Sequence, residues 1–341
     1  MIYIAYQCSN LFYPPFSVSV FSLLKNYKGK DEIKIFIVSK DFSSKNLAKV
    51  HNIQKSFGQP ENAEIILLPD LKSKEWGLCF DSYKGKWSID SFEKMCLSDL
   101  LPSYVDKVLY LDSDTLICKD ISDLWNTNLD GNYVAAACDF MSKQYYNLFG
   151  LSDSDYYINS GVLLWNLSEL RKIHFIDILR SYLIKNQGFV FFAEQTAVSV
   201  LCKGKIKKLP LSDNSTTILY QLTPKNIFSL RKPFNSYSEK EIIDAKENCT
   251  IMHMTTCFLA NNRCWFSNSN CKSKPIFNSY ADQTPEFQYS KDNRKLKKKL
   301  IDFFVLILPR TFVCWLVGKY YNKKRISKFV SYKKKSKNSL L

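Results

Sequence analysis

Lys107-Val108-Leu109-Tyr110-Leu111-Asp112-Ser113-Asp114-Thr115-Leu116-Ile117 is the stretch on which the fold turns. Val108 to Leu111 is apolar at every position, β-branched and aromatic, as befits an interior strand of a parallel sheet covered on both faces. The run ends on two carboxylates one residue apart. Residues i and i+2 of an extended segment point the same way, so Asp112 and Asp114 can converge on one point. Charge beside a buried strand is costly without a compensating partner, and a hard divalent cation suits paired carboxylates. In open α/β sheets ligands collect at the carboxyl ends of the strands, where this pair lies. The plainer alternative is a pair of turn residues capping a following helix.

The pattern around this strand repeats its alternation. Upstream, Ile2–Tyr6, Ile33–Val38 and Ala63–Leu68 read as strands. Ser17–Tyr27 reads as a half-buried helix, Ser43-Ser44 as the cap of a polar helix, and Ser91 to Leu101 as a helix that Pro102 ends. Downstream, Tyr133–Cys138 is a strand closing on Asp139. Asn159-Ser160-Gly161 turns into a buried strand through Leu167, with Ser168 capping a helix. Ala193–Cys202 is a helix, and Ile206–Leu209 and Thr250–Met254 are strands, the last with His253 near its end. Strands alternating with helices predict an α/β fold with a mostly parallel sheet sandwiched between helices.

Composition bounds the function class. The chain has 341 residues, 46% hydrophobic, enough for a sizeable core. Its net charge of +16 is confined: residues 291–341 carry sixteen Lys or Arg and two Asp, leaving +2 for the rest. A nearly neutral body excludes a nucleic-acid-binding domain, so no specific nucleic-acid partner is expected. The division is a globular domain over residues 1–285 and a basic, aromatic tail over 291–341. In that tail the apolar clusters Phe303–Leu308 and Thr311–Gly318 are broken by Pro309-Arg310, too short to span a bilayer. Apolar clusters between lysine runs suit an anionic membrane surface; a disordered tail binding RNA nonspecifically is the alternative. The eleven cysteines contain no C-x-x-C pair. With no signal peptide apparent, they suit reduced thiols in a cytoplasmic enzyme.

Only three histidines are present. His51 and His174 read as surface residues, while His253 follows the apolar pair Ile251-Met252. Cys249, Cys257, Cys264 and Cys271 surround it, but their spacings lack the short knuckle of a structural zinc site.

In order and separation these motifs resemble glycosyltransferase family 8, the retaining enzymes that include lipopolysaccharide galactosyl- and glucosyltransferases and glycogenin. The likeness rests on Lys107–Asp114, Asp120-Ile121-Ser122-Asp123-Leu124-Trp125, Tyr157–Leu167, Glu194-Gln195-Thr196, and His253 ahead of Arg263-Cys264-Trp265. It implies a GT-A-like fold and a UDP-sugar donor. It makes Asp112, Asp114 and His253 ligands of Mn²⁺, with Mg²⁺ as a substitute; two carboxylates and an imidazole suit Mn²⁺ better. Ala5, Gln7, Asn10, Lys94, Ser113, Asn159 and Arg263 fall at donor-binding positions, with Lys94 and Arg263 offered to phosphates. Asp139, Glu194 and Gln195 fall around the donor sugar, Gln195 beneath its anomeric carbon, where a neutral amide positions and stabilises charge rather than acting as a base. The sequence departs from the family at Gln7 (usually acidic), Lys94 (usually arginine) and Thr196 (usually aspartate). The resemblance implies a hexosyltransferase acting on a glycan or glycolipid such as lipopolysaccharide or capsule; the basic tail, not the resemblance, places it peripherally at the membrane. Two rivals are an inverting transferase of the same fold with Asp139 as base, and an inactive nucleotide-binding scaffold at the membrane.

Overall fold

The computed structural model describes residues 1–67, 89–186, 189–256, 263–291, 300, 303, 305 and 307–338. Ten strands are found among them: β1 (Ile2–Gln7), β2 (Ile33–Ser39), β3 (Glu64–Leu67), β4 (Lys107–Asp112), β5 (Thr115–Ile117), β6 (Val134–Cys138), β7 (Ile158–Asn166), β8 (Ile206–Lys208), β9 (Ser215–Thr216) and β10 (Ile251–His253). Seven form the central sheet in the order β3-β2-β1-β4-β7-β6-β8, and β5-β10-β9 form a second, small sheet.

The central sheet is mostly parallel, and its strands are buried on both faces by the helices that connect them. In β4, Leu109 and Leu111 join the core on one side with Ile4, Tyr6, Phe16 and Val20. Val108 and Tyr110 join the other with Ala5, Phe36, Phe175 and Ala197. The helix Tyr13–Asn26 covers the first face, and Phe175–Lys185 and Ala193–Leu201 the second. A strand roofed on both sides has no polar alternation to show, as its sequence predicts.

β7 departs from the parallel pattern. It runs antiparallel to both β4 and β6, with Leu111 opposite Val162 and Cys138 opposite Ile158. Its amino-terminal end therefore lies beside the carboxyl end of β4. The small sheet crosses the same edge: Thr115 of β5 pairs with His253 of β10, and the Met254 N–H donates to the Asp114 carbonyl at 2.9 Å.

Several local expectations change. Ser91 to Leu101 is not one helix but a 3-10 segment, Ile89–Cys96, followed by one α-turn, Leu97–Leu100. Asn166, not Ser168, caps the helix Leu167–Lys172, accepting from the Glu169 N–H at 3.2 Å. The Ser168 hydroxyl instead donates to Asp106 at 2.7 Å.

The carboxyl-terminal segment is seated on the body. The helix Arg310–Lys319 continues through a π turn, Tyr320–Lys324, into Arg325–Asn338. Val313, Cys314, Tyr321 and Phe329 are buried. Gly318 lies so close to the helix Pro224–Arg231 that a Cβ there would stand 2.9 Å from the Ser229 carbonyl oxygen and 3.0 Å from that of Leu230. The basic run Lys291–Lys299 falls almost wholly outside the described residues. Among the described residues no helix is long and apolar enough to cross a membrane.

Candidate active site

The crossing of the two sheets assembles the site. Asp112 ends β4, Asp114 follows in the turn to β5, and β10 pairs with β5 so that His253 arrives opposite Thr115. The imidazole Nε2 lies 3.2 Å from Asp114 Oδ1 and 3.5 Å from Asp112 Oδ2. One donor atom from each of the three residues falls within 4.8 Å of the others.

Each aspartate has its other oxygen engaged by the protein. Asp112 Oδ1 takes Lys94 Nζ at 2.7 Å and the Tyr110 hydroxyl at 2.7 Å; Asp114 Oδ2 takes Arg263. The His253 Nδ1 faces the side-chain carbonyl oxygens of Asn159 and Asn214, both at 3.1 Å. A nitrogen between two acceptors carries a proton, which turns Nε2 toward the carboxylates, where in the neutral ring its lone pair would face an ion held between them. Donors about 2.1 Å from a common ion lie roughly 3 Å apart, so this set fits a divalent cation. Burial works against the charged form of Asp114. The Arg263 guanidinium and then His253 outweigh it and hold the carboxyl well below the usual range. Lys94 is likewise buried, yet Asp112 and Glu194 raise its pKa.

The amino-terminal end of β7 and the first turn of Ala193–Leu201 close the site. Gln195 Nε2 donates to Asp139 Oδ2 at 2.9 Å, and its Oε1 accepts from Asn159 Nδ2 at 3.3 Å. Asn159 Oδ1 accepts from the Gly161 N–H at 3.0 Å and from Asn214 Nδ2 at 2.9 Å. Ser160 donates to Glu194 Oε1 at 3.1 Å, and Lys94 lies 3.6 Å from the same oxygen. One unbroken network thus runs from Asp139 through Gln195 and Asn159 to His253. Just before Glu194, Phe192 and Ala193 take φ of 61° and 47°. Left-handed backbone at residues other than glycine costs about 1–2 kcal/mol apiece.

The model of Glycosyl transferase family 8 matches residues 3–269. The chain belongs to glycosyltransferase family 8. Among its family relatives, the lipopolysaccharide 1,2-glucosyltransferase of Escherichia coli K12 is 24% identical over 252 residues, 70% of this chain and 69% of its own. A Haemophilus influenzae relative is 26% identical over 152 residues, 43% of this chain and 45% of its own. General stress protein A of Bacillus subtilis is 21% identical, with 65% of its length matched. The galactosyltransferase LgtC, solved with donor and acceptor sugar analogues, shares the fold at a TM-score of 0.65 and 19% identity, over 88% of this chain and 100% of LgtC.

The residues that the family resemblance singles out do not all face one cleft. Asp112, Asp114, His253, Asn159, Glu194, Gln195, Asp139, Lys94 and Arg263 are brought together. The Ser113 hydroxyl donates back to the Gln7 carbonyl at 2.7 Å, tying β4 to the end of β1. Gln7 turns its amide to Glu93 Oε2 at 2.9 Å. Ala5 is fully buried in the core with Phe36 and Tyr110, so it offers no side-chain surface to a donor. The Asn10 amide oxygen accepts from the Ser43 N–H at 3.0 Å and Asn46 at 2.9 Å, holding a loop. Lys94, expected to face a phosphate, meets Asp112, Glu194 and the Ser160 carbonyl at 3.3 Å. Two of the ammonium's three donors are hydrogen-bonded to Asp112 and Ser160, and Glu194 stands nearby as an ion pair. His51, expected at the surface, is half-buried and bonded to the Ala63 carbonyl at 2.8 Å. Cys249, Cys264 and Cys271 are buried free thiols outside the Asp112, Asp114 and His253 group, and Cys257 lies outside the described residues.

Two participants escaped the sequence reading. Asn214 gave no signal within Asp213-Asn214-Ser215-Thr216, which reads as a polar loop. Gly161 was read only as part of a turn, whereas a Cβ on it would meet His253 Cε1 at 2.0 Å. The imidazole lies against the bare face of that glycine.

Proposed function

We propose that this family 8 glycosyltransferase is a retaining hexosyltransferase that moves galactose or glucose from a UDP-sugar to a glycan or glycolipid, such as lipopolysaccharide or capsule. Mn²⁺, or Mg²⁺ in its place, would be held by Asp112 Oδ2, Asp114 Oδ1 and His253 Nε2. When bound, the ion neutralises charge on the departing diphosphate. The observation that carries the reading is the network Asp139–Gln195–Asn159–His253, which fixes the sugar-side residues and the ion-side residues as one rigid unit.

Within that unit each side chain has a task its chemistry allows. Lys94 orients Asp112 and Glu194 from below. Arg263, on the other oxygen of Asp114, is more exposed than Lys94 and serves the diphosphate. Glu194 and Asp139 accept hydrogen bonds from sugar hydroxyls. Gln195, pinned by its amide nitrogen to Asp139, presents its carbonyl oxygen to positive charge developing at the anomeric carbon. Both Asp139 oxygens already accept protein donors, the Phe140 N–H at 2.7 Å and Gln195 at 2.9 Å, which favours positioning over proton abstraction.

The names of the relatives support a hexosyl donor: glucosyl for the E. coli protein, galactosyl for LgtC. The proposed setting is the cytoplasmic face of an anionic membrane. Phe312, Trp315, Leu316 and Tyr320 are about half exposed on one side of the docked tail, and Lys319 Nζ lies 3.6 Å from the Trp315 ring centroid. Aromatics with cations beside them suit a headgroup layer. A panel of UDP-sugars incubated with the protein, Mn²⁺ and sugar acceptors, with the linkage read by NMR, tests the reading. An α-linked product from an α-linked donor is expected; a β-linked product would overturn the retaining assignment.

A further inference from the structure

We propose that Tyr321, Arg325 and Phe329 of the carboxyl-terminal helix are positioning residues. They hold the left-handed turn at Phe192–Ala193 and, through it, the aim of Glu194 and Gln195. The proposal rests on the enzymatic reading above for its consequence, though not for its geometry. The family match ends at residue 269, so these three residues lie outside it.

The turn is improbable by itself. Two consecutive residues, one of them bulky, stand at φ of 61° and 47°, where a Cβ crowds the neighbouring carbonyl. Such backbone persists only where its surroundings over-determine it. Here the tail supplies much of those surroundings. The Arg325 guanidinium lies over the Phe192 ring at 4.5 Å and the Phe191 ring at 5.2 Å. Phe329 packs on Phe191 at 4.5 Å and on Phe189 at 5.2 Å between centroids. Tyr321 lies 6.3 Å from Phe192 and 5.2 Å from Tyr145.

The tail is itself anchored, so it can hold something else. The Tyr145 hydroxyl donates to the Tyr321 carbonyl at 2.7 Å, and the Tyr321 hydroxyl donates to Met141 Sδ at 3.2 Å. Arg231 stacks on the Tyr321 ring at 4.3 Å. On the far side of the turn, Thr196 donates to the Phe191 carbonyl and meets the Tyr157 hydroxyl at 2.8 Å. Glu194 and Gln195 sit between these two fixings, in the first turn of a helix whose direction the left-handed pair sets. A small rotation there would separate Gln195 from Asp139, and errors of about 1 Å in such a constellation cost on the order of a hundredfold in rate.

The test uses the full-length chain with Arg325→Ala and Arg325→Lys. Two readouts are taken: hydrogen exchange of the 190–197 amides, and UDP release with donor KM and kcat separated. Arg325→Ala should speed exchange at 190–197 and cut kcat about tenfold or more while KM for the donor changes less than about twofold. Arg325→Lys, which keeps the cation over the rings, should recover part of both. Unchanged exchange at 190–197 would overturn the proposal, as would a kcat that falls equally in the alanine and lysine variants. If the wild-type chain turns over no UDP-sugar, the enzymatic reading fails, and exchange still decides whether Arg325 holds the turn.

Discussion

At the scale of single residues, the site depends on what is missing as much as on what is present. The His253 ring occupies the space where residue 161 would carry a Cβ, and both its nitrogens are committed: Nδ1 to Asn159 and Asn214, Nε2 towards the two aspartates. Gly161→Ala should therefore push the buried imidazole off its axis. Mn²⁺ affinity should fall about 10–100-fold, the range seen when a ligand loses its support, and the thermal midpoint should fall as well, because the displaced ring is buried and hydrogen-bonded to two amides. Titration calorimetry with Mn²⁺ checks this, and wild-type affinity in the variant would show that the ring is free to move aside. Asp112 and Asp114 were legible because the strand before them is so plainly buried that the charge demanded a reason. Asn214 was not legible, because an amide in a polar loop acquires meaning only from the partner that folding brings to it. Lys94 shows a third case. Its charge was legible, but its direction was not, since two acceptors come from distant elements.

Among the elements, the apolar strands were readable, the short β8 and β10 included, while β5 and β9 were not. β4 and β7 announce themselves by unbroken apolar runs, but the two-residue β9 and three-residue β5 have no periodicity to display. Yet the small sheet is what carries His253 to the aspartates. Strand direction was also hidden. The antiparallel course of β7 brings its Asn159–Gly161 end to the carboxyl end of β4, a fact set by register rather than by any one residue. The docked helices of the tail were missed for a related reason. Val313, Cys314, Tyr321 and Phe329 recur at helical intervals within a stretch dominated by lysine, so the buried stripe is thin. Gly318 lets that stripe approach. Gly318→Val would drive methyl groups onto two backbone carbonyls that cannot step aside, so the helix must lift. Such overpacking costs about 1–3 kcal/mol. Urea unfolding should show a lower midpoint for the valine variant than for Gly318→Ala, and an unchanged midpoint in both would mean that the two helices do not pack this closely.

For the whole molecule, the tail joins a packing role to the membrane role proposed for it, and the charge count alone could not separate the two. Its sixteen cations and two acids were plain in the sequence, and so was the neutrality of the body. That its inner face completes the core around Tyr145 and Phe192 was not. Removing everything after Ser290 should consequently lower the thermal midpoint as well as remove charge. Membrane binding is better tested by replacing Phe312, Trp315 and Leu316 with serine, which leaves the inner face intact. The unaltered protein should sediment with anionic vesicles and come off partly in high salt, each basic residue near the surface contributing about 1 kcal/mol. The serine variant should come off almost completely under the same salt; identical release would place the binding elsewhere. The central claim is that Asp112, Asp114 and His253 hold the cation that a UDP-sugar needs, and it is tested most directly by UDP release as a function of Mn²⁺ concentration. The wild-type chain should show a saturable, chelator-reversible rise in rate, and Asp114→Ala and His253→Ala should remain flat at every Mn²⁺ concentration while folding normally. A wild-type rate indifferent to Mn²⁺ and to chelator, or either variant rising as the wild type does, would contradict the account.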